Sequence, residues 1–205
     1  MVLEAAPPRG RYDRQLELGE RVAQQLERLI SATARAVEDS PDPPHASAAA
    51  IVALAGMGRN SFYAHFRDVH AAEEAVLARV IERMHARAEE VIARPASPLD
   101  PFSGLLHAWT LAIDDRRELA AAAFKIAIAD RRGGLSRIGA LMRQHLRRVT
   151  IEARRRAAIA TPADELRLLS AAASMEGLIG WYIDHPTSRD DVIELGADVL
   201  LRVFC

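Results

Sequence analysis

The sequence has little of what stabilises small secreted or metal-bound domains. Cysteine occurs once, as Cys205, which excludes a disulfide within this chain and a cysteine-based zinc site. Lysine also occurs once, as Lys125, and aromatic residues make up 5% of the chain. The longest nearly apolar run, residues 46–58, is too short to cross a bilayer. Since the first ten residues hold no apolar segment after a basic start, we expect no secretory signal and a cytoplasmic protein.

Strand patterns are missing as well, and helical periodicity extends over nearly the whole chain. Apolar residues make up 50% and charged residues 27%, a balance that allows a sizeable core. The apolar positions recur at spacings of three and four, and proline-rich stretches at 39–44 and 95–101 interrupt them. The predicted fold class is all-α with about nine helices. The last five are expected near 102–114, 116–130, 134–158, 162–184 and 189–204.

The net charge of −1 conceals one strongly basic segment. Residues 131–161 carry nine arginines against a single acid, Glu152. One side of the helix predicted there carries Arg137, Arg143, Arg147 and Arg154. A second nucleic-acid surface is one interpretation of this side. We favour a solvated face, or a face paired with the acidic terminal segment.

Two very short helices joined by a glycine turn are predicted between residues 47 and 65. Ser47 is placed to cap the first helix, and Gly56 to end it in the left-handed conformation. Phe62 and Phe66 lie four residues apart and should hold the second helix against the core. Helices of about two turns are marginal alone, so packing must fix this construction.

The other face of the second short helix carries only hydrogen-bond donors, namely Arg59, Asn60, Ser61, Tyr63 and His65. No carboxylate occurs between Asp42 and Asp68, so nothing nearby in the sequence repels a polyanion. Such a face suits phosphate oxygens and base edges in a major groove, as in a helix-turn-helix. The alternative is plain packing, with Tyr63 as a half-buried core residue.

In the segment of these two short helices the sequence resembles the TetR family of transcriptional regulators. The matching residues are Ile51, Ala55-Gly56-Met57, Phe62-Tyr63 and His65-Phe66. The resemblance implies a DNA-binding domain over residues 15–70, with helix-turn-helix, and a ligand-binding and dimerisation bundle over 71–205. It also implies that Ser47, Tyr63 and His65 contact phosphates while Arg59, Asn60 and Ser61 read bases.

The chain departs from the family pattern at three positions. Ala53 and Leu54 stand where polar residues are common, and Gly58 replaces the usual serine cap. These changes remove possible contacts with the DNA backbone. Residues 1–14 are expected to form a disordered arm; the alternative is that Arg9, Arg11 and Arg14 reach into a minor groove.

The segment 164–184 leaves almost no polar face, so we expect both of its sides to be buried. Small residues that permit close helix approach are Ala171, Ala172, Ser174, Gly177 and Gly180. Together with the last helix, this segment predicts a homodimer interface, as the resemblance also implies. The expected interface residues are Leu169, Ala173, Gly177, Trp181, Leu195 and Val199. The alternative is the core of a monomer.

A small-molecule site is expected inside the C-terminal bundle. An apolar pocket with one polar handle would be formed by Trp109, Phe124, Met142, His145 and Met175. For any one of these residues, ordinary core packing is the alternative. The effector would be largely hydrophobic.

Patterns typical of metal sites and catalysis are missing. The segment Glu82-x-x-His85 has no second copy, and HExxH, GxSxG and phosphate-loop patterns do not occur. We therefore predict no metal, cofactor or catalytic residue. The sequence predicts a homodimeric, ligand-responsive repressor of a pseudo-palindromic operator. The alternatives are a TetR-like dimer that has lost DNA binding, and an enzyme that uses the helical pocket.

Overall fold

The computed structural model describes residues 11–40, 46–93, 102–130, 134–155, 164–185 and 188–204. The side chains of residues 11–17 and 134–136 are outside this description. Within the described ranges the chain forms nine α-helices and no strand, so the predicted all-α class is confirmed. The helices are α1 (Arg11–Glu38), α2 (Ala48–Ala55), α3 (Arg59–His65), α4 (Val69–Ala93), α5 (Ser103–Asp114), α6 (Arg117–Ala129), α7 (Gly134–Arg155), α8 (Glu165–Asp184) and α9 (Arg189–Phe204). Cys205 lies outside the described residues.

The N-terminal unit consists of α1, α2 and α3, with α1 packed against α2. The buried stripe of α1 includes Leu29, Thr33 and Val37, spaced four residues apart as one helix face requires. Thr33 is satisfied inside this stripe because its hydroxyl donates to the Leu29 carbonyl oxygen at 2.8 Å. Helix α1 begins at Arg11, so residues 11–14 are helical rather than part of the arm expected over 1–14. Residues 1–10, with Arg9, lie outside the described range.

Helix α4 connects the N-terminal unit to the rest of the bundle. Asp68 caps it, because its Oδ1 accepts a hydrogen bond from the Ala71 backbone N–H at 2.7 Å. Along its length α4 packs against α1, α5, α6 and α7. The buried residues Val76, Val80 and Met84 lie on the face that these helices cover.

Helices α5 to α9 form the C-terminal bundle. Asp164 caps α8 by accepting from the Arg167 N–H at 2.9 Å, and α8 packs between α7 and α9. The buried apolar side chains form one cluster that extends from Leu29 in α1 to Phe204 in α9. No helix among the described residues is long and apolar enough to cross a membrane.

In the single chain one side of α8 is buried and the other is exposed, so burial of both sides stays a prediction that requires a second copy of the chain. Ala171 and Ala172 face the chain's own core, whereas Ala173 and Gly177 are exposed. Helix α8 therefore presents an apolar face that no described part of the chain covers.

Candidate functional site

The turn between α2 and α3 has the local geometry that its residue types require. The Ser47 hydroxyl accepts from the Ala50 N–H at 3.1 Å and caps α2. Gly56 has φ 62° and ψ 41°, in the left-handed region where residues other than glycine are strained. Gly58 then starts α3 without a side-chain cap.

Two phenylalanines fix α3 against the N-terminal unit. Phe62 is fully buried and Phe66 almost so, and their ring centroids are 5.6 Å apart. Ile51 and Ala55 of α2 are buried in the same core cluster. Because a seven-residue helix is not stable alone, these anchors determine which side of α3 faces outward.

The outward side of α3 carries the predicted donors. Arg59, Asn60 and Tyr63 are exposed, and Ser61 and His65 are half-buried. Tyr63 is 57% exposed, and its side chain forms no hydrogen bond with any described residue. These donors are free to bind an external acceptor.

The nearest carboxylate is already partnered. Asp68 caps α4 and lies 3.2 Å from the guanidinium of Arg67. Glu73 and Glu74, in the first turns of α4, lie within about 4 Å of the His70 ring. The first acids that follow α3 in the chain thus have arginine or histidine partners, which is compatible with a polyanion bound nearby.

An arginine of α1 holds the end of α2, which the sequence analysis did not anticipate. The Arg28 Nη2 donates to the Ala55 carbonyl oxygen at 2.7 Å, and it would lie 3.5 Å from a Cβ added at Gly56. A cation at a helix C-terminus satisfies a free carbonyl and opposes the helix dipole. No local pattern links residues that are 27 positions apart.

The five residues predicted to bind an effector are all buried. Only Trp109 and His145 are brought into direct polar contact: the indole Nε1–H donates to His145 Nδ1 at 3.2 Å. Phe124 lies near the small residue Gly180 of α8. Met142 lies one turn before His145 on α7, and Met175 is buried in α8. The expected polar handle therefore has a partner within the protein.

His145 has a second partner, His85 of α4. His145 Nε2 and His85 Nδ1 are 2.9 Å apart, and the two rings are parallel within 3°. Because Trp109 donates to His145 Nδ1, neutral His145 carries its proton on Nε2 and donates it to His85. Burial, and the neighbouring His85, lower the pKa of His145 to about 4.

His85, Glu89 and His145 also form the one described group whose spacing could hold a metal ion. The two ring nitrogens lie at hydrogen-bond distance, 2.9 Å, and bond directly to each other. Glu89 is moreover ion-paired with Arg148 of α7. Sequence reasoning considered Glu82 and His85, but it missed this group because His145 lies 60 positions away.

Two surface cavities are described near α1, away from the predicted effector residues. One, of about 330 Å³, is lined by Glu27, Arg28, Ser31, Ala32, Arg35, Leu54 and Ala55. The other, of about 280 Å³, also borders Ser31 and is lined further by the first turn of α6. Neither cavity includes Trp109 or His145.

The exposed sides of α8 and α9 carry several apolar side chains and are hereafter called the α8–α9 face. Leu169 is 49% exposed, Trp181 45% and Leu195 54%. Ala173 and Gly177 lie between the two α8 residues on the same exposed side, and Val199 lies half-buried on α9. All six residues predicted for the dimer interface are thus accessible in the single chain.

The arginines of α7 are mostly paired with acids. Arg137 donates to both carboxylate oxygens of Glu74, at 2.6 and 2.8 Å. Arg143 and Arg147 lie beside Glu165, the first residue of α8. This pairing favours the interpretation of a compensated face over a second nucleic-acid surface.

The sequence matches no protein-family model and no curated protein. Among solved structures, the chain is similar to one described as a TetR transcriptional regulator from Rhodococcus sp. RHA1. The TM-score is 0.48 and the sequence identity is 16%, over 89% of this chain and 97% of that one. A functional assignment therefore depends on this chain's own residues.

Proposed function

We propose that the protein is a homodimeric, ligand-responsive transcriptional repressor of the TetR type, which binds a pseudo-palindromic operator in the cytoplasm. The observation that carries this proposal is the outward side of α3. Three of its five donors are exposed and two are half-buried, and it carries no acid, while Phe62 and Phe66 hold the opposite side in the core. A rigid, donor-bearing helix of this kind fits a major groove.

Within this proposal the donors of α3 divide into two groups. Tyr63 and His65, together with Ser47 at the start of α2, contact phosphates and fix the register. Arg59, Asn60 and Ser61, at the start of α3, reach base edges. The first residues of a recognition helix enter the groove most deeply, which is why we assign sequence reading to them.

The α8–α9 face supports the dimer. An exposed apolar face that includes a tryptophan is costly in water, and a second copy related by a two-fold axis would cover it. The two α3 helices would then enter successive major grooves, with half-sites about one helical turn apart.

The effector would bind in the region of Trp109 and His145. His145 contacts His85 of α4, and α4 follows directly after α3 in the chain. A hydrophobic ligand that replaces either partner of His145 would alter the contact between α7 and α4. The ligand lowers operator affinity only if it binds one of the two arrangements more tightly than the other.

The proposal is tested by the salt dependence of duplex binding. Purified protein should be retained on genomic DNA at low salt, and the logarithm of its affinity should fall linearly with the logarithm of salt concentration. An acidic protein without a nucleic-acid surface would not be retained. Absence of retention at low salt would contradict the proposal.

A second candidate is a TetR-like dimer that binds a small molecule or a protein and no DNA. The observation that favours it is the exposed apolar pair Ala53 and Leu54 on α2, the first helix of the helix-turn-helix. In this case effector binding would persist while duplex DNA is not retained.

A further inference from the structure

The junction between α5 and α6, residues 114–117, connects four helices through consecutive side chains. Asp114 and Arg117 bond to α8 and α9, Asp115 bonds to α4, and Arg116 bonds to α1. The junction therefore connects helices that have different roles in the proposed function: α1 of the N-terminal unit, the connecting helix α4, and the helices of the α8–α9 face.

Toward the α8–α9 face the junction is tightly bonded. The buried Tyr182 donates its hydroxyl to the Asp114 carboxylate at 2.9 Å, and Arg117 donates to the carbonyl oxygens of Tyr182 and Ile183 at 3.1 and 2.8 Å. Arg189 and Arg117 both form ion pairs with Asp114. Burial by itself raises the pKa of Asp114, but the hydrogen bonds from Arg189, Tyr182 and Arg117 outweigh it and hold the pKa below its ordinary value.

Toward the N-terminal unit the junction uses two further residues. Asp115 accepts from Arg87 at 2.9 Å and lies 3.3 Å from Arg83, both on α4. The Arg116 Nη2 donates to the Ser31 hydroxyl of α1 at 2.8 Å. The junction thus contacts both helices that connect the N-terminal unit to the bundle.

The contact with Ser31 continues to the helix-turn-helix. Arg28 lies three residues before Ser31, on the adjacent turn of α1, and holds the Ala55 carbonyl next to Gly56. Directional polar contacts, together with one turn of α1, therefore connect Tyr182 of α8 with the turn before α3.

We propose that residues 114–117 position the N-terminal unit relative to the α8–α9 face. This inference rests on the proposed function. It means that in the dimer the junction determines the distance between the two α3 helices. Exposed ion pairs contribute little to stability individually, so the main effect of these contacts is on orientation. Arg116 is the residue of the junction whose side chain bonds to α1.

The first test measures orientation without DNA. Spin labels are attached at Ala64 of α3 and Ala140 of α7, both exposed, in the full chain carrying Cys205→Ser, and labelled protein is diluted with unlabelled protein. Arg116→Ala should shift or broaden the distribution of label distances by about 2 Å or more, the size of interface helix shifts. Arg35→Ala is the matched control, since it removes the same charge from an exposed arginine of α1 whose side chain bonds to no described residue.

The second test measures half-site spacing. A random duplex library is selected separately with the wild-type protein, Arg116→Ala and Arg35→Ala. The wild type and the control should select one spacing, whereas Arg116→Ala should accept neighbouring spacings with its preference reduced about five-fold or more. A variant that merely lost stability would bind less DNA of the same spacing.

The outcomes separate the two proposals. An unchanged distance distribution for Arg116→Ala, in protein that unfolds at the wild-type temperature, overturns the positioning role. A changed distribution supports it even if the wild type selects no duplex, a result that would contradict the proposed function alone. If Arg116→Ala changes the distance distribution but keeps the wild-type preference for half-site spacing, the junction does not determine the separation of the two α3 helices.

Discussion

Tyr63 lies edge-on against Phe62, with ring centroids 5.2 Å apart and ring planes at 87°. The two neighbours have opposite environments: Phe62 is fully buried, whereas Tyr63 is 57% exposed and forms no hydrogen bond with a described residue. One residue of the pair anchors α3, and the other is placed on its outward side.

Phe62→Ala should destabilise the protein by about 3–5 kcal/mol, because it removes a fully buried ring and leaves a cavity. Tyr63→Ala is the matched control and should change stability far less. Urea unfolding followed by circular dichroism measures both. Equal losses for the two variants would contradict the opposite roles.

Arg59→Ala and Tyr63→Phe should each weaken operator binding by about ten-fold, since each removes a donor from an exposed polar face. The control is Arg154→Ala, which removes an exposed arginine of α7 whose side chain bonds to no described residue. Gel shifts at matched salt measure the affinities, and light scattering verifies that the dimer is intact. Unchanged affinity in both α3 variants would count against the role of this side.

Leu195→Glu should convert the dimer to a monomer, because it places a charge on the exposed apolar α8–α9 face. Ile128→Glu changes an apolar residue of α6 that is 69% exposed and should leave the dimer intact. Sedimentation velocity distinguishes the two states. A dimer that tolerates both substitutions equally would use another face.

Gly56→Ala should destabilise the protein by about 1 kcal/mol or more, since φ is +62° and alanine is strained in that region. Gly19→Ala is the control: a Cβ there meets no atom within 4 Å, and alanine favours a helix interior. Thermal unfolding should therefore move in opposite directions for the two variants. A stabilised Gly56→Ala would show that the turn is not held as described.

Stability should fall as the pH drops from about 6.5 to about 4, in part because of His145. Its pKa is lowered from 6.5 to about 4 in the folded chain, so in this window the unfolded chain binds more protons. The contribution of His145 to the free energy of unfolding is fully present above pH 6.5. Between pH 6.5 and pH 4 this free energy falls by about 3 kcal/mol because of His145. His145→Gln should reduce the difference in urea midpoint between pH 7.5 and pH 5, whereas His107→Gln, at an exposed position, should not. A pH dependence that both variants retain in full would contradict this role.

Local features of the fold were predictable because neighbouring residues determine them. Helix α3 ends at His65, where the predicted pair of short helices ends, and Ser47 and Gly56 cap and end α2 as expected. These features depend on φ preferences and on side chains that reach a backbone group three residues away.

Contacts between distant residues were not predictable from spacing. His85 meets His145 across 60 positions, and Arg116 meets Ser31 across 85. The sequence predicted one polar handle among the effector residues, but not that Trp109 and His85 would contact the two nitrogens of His145. Such pairs depend on how helices pack, which the periodicity of a single helix does not specify.

The central claim, that α3 reads duplex DNA, is tested most directly by sequencing the genomic fragments that the purified protein retains. The account predicts enrichment of a few fragments that share a pseudo-palindrome with half-sites about one helical turn apart, and loss of this enrichment in the double variant Arg59→Ala, Tyr63→Phe. Retained fragments without a common sequence, or the same fragments retained by the double variant, would contradict it.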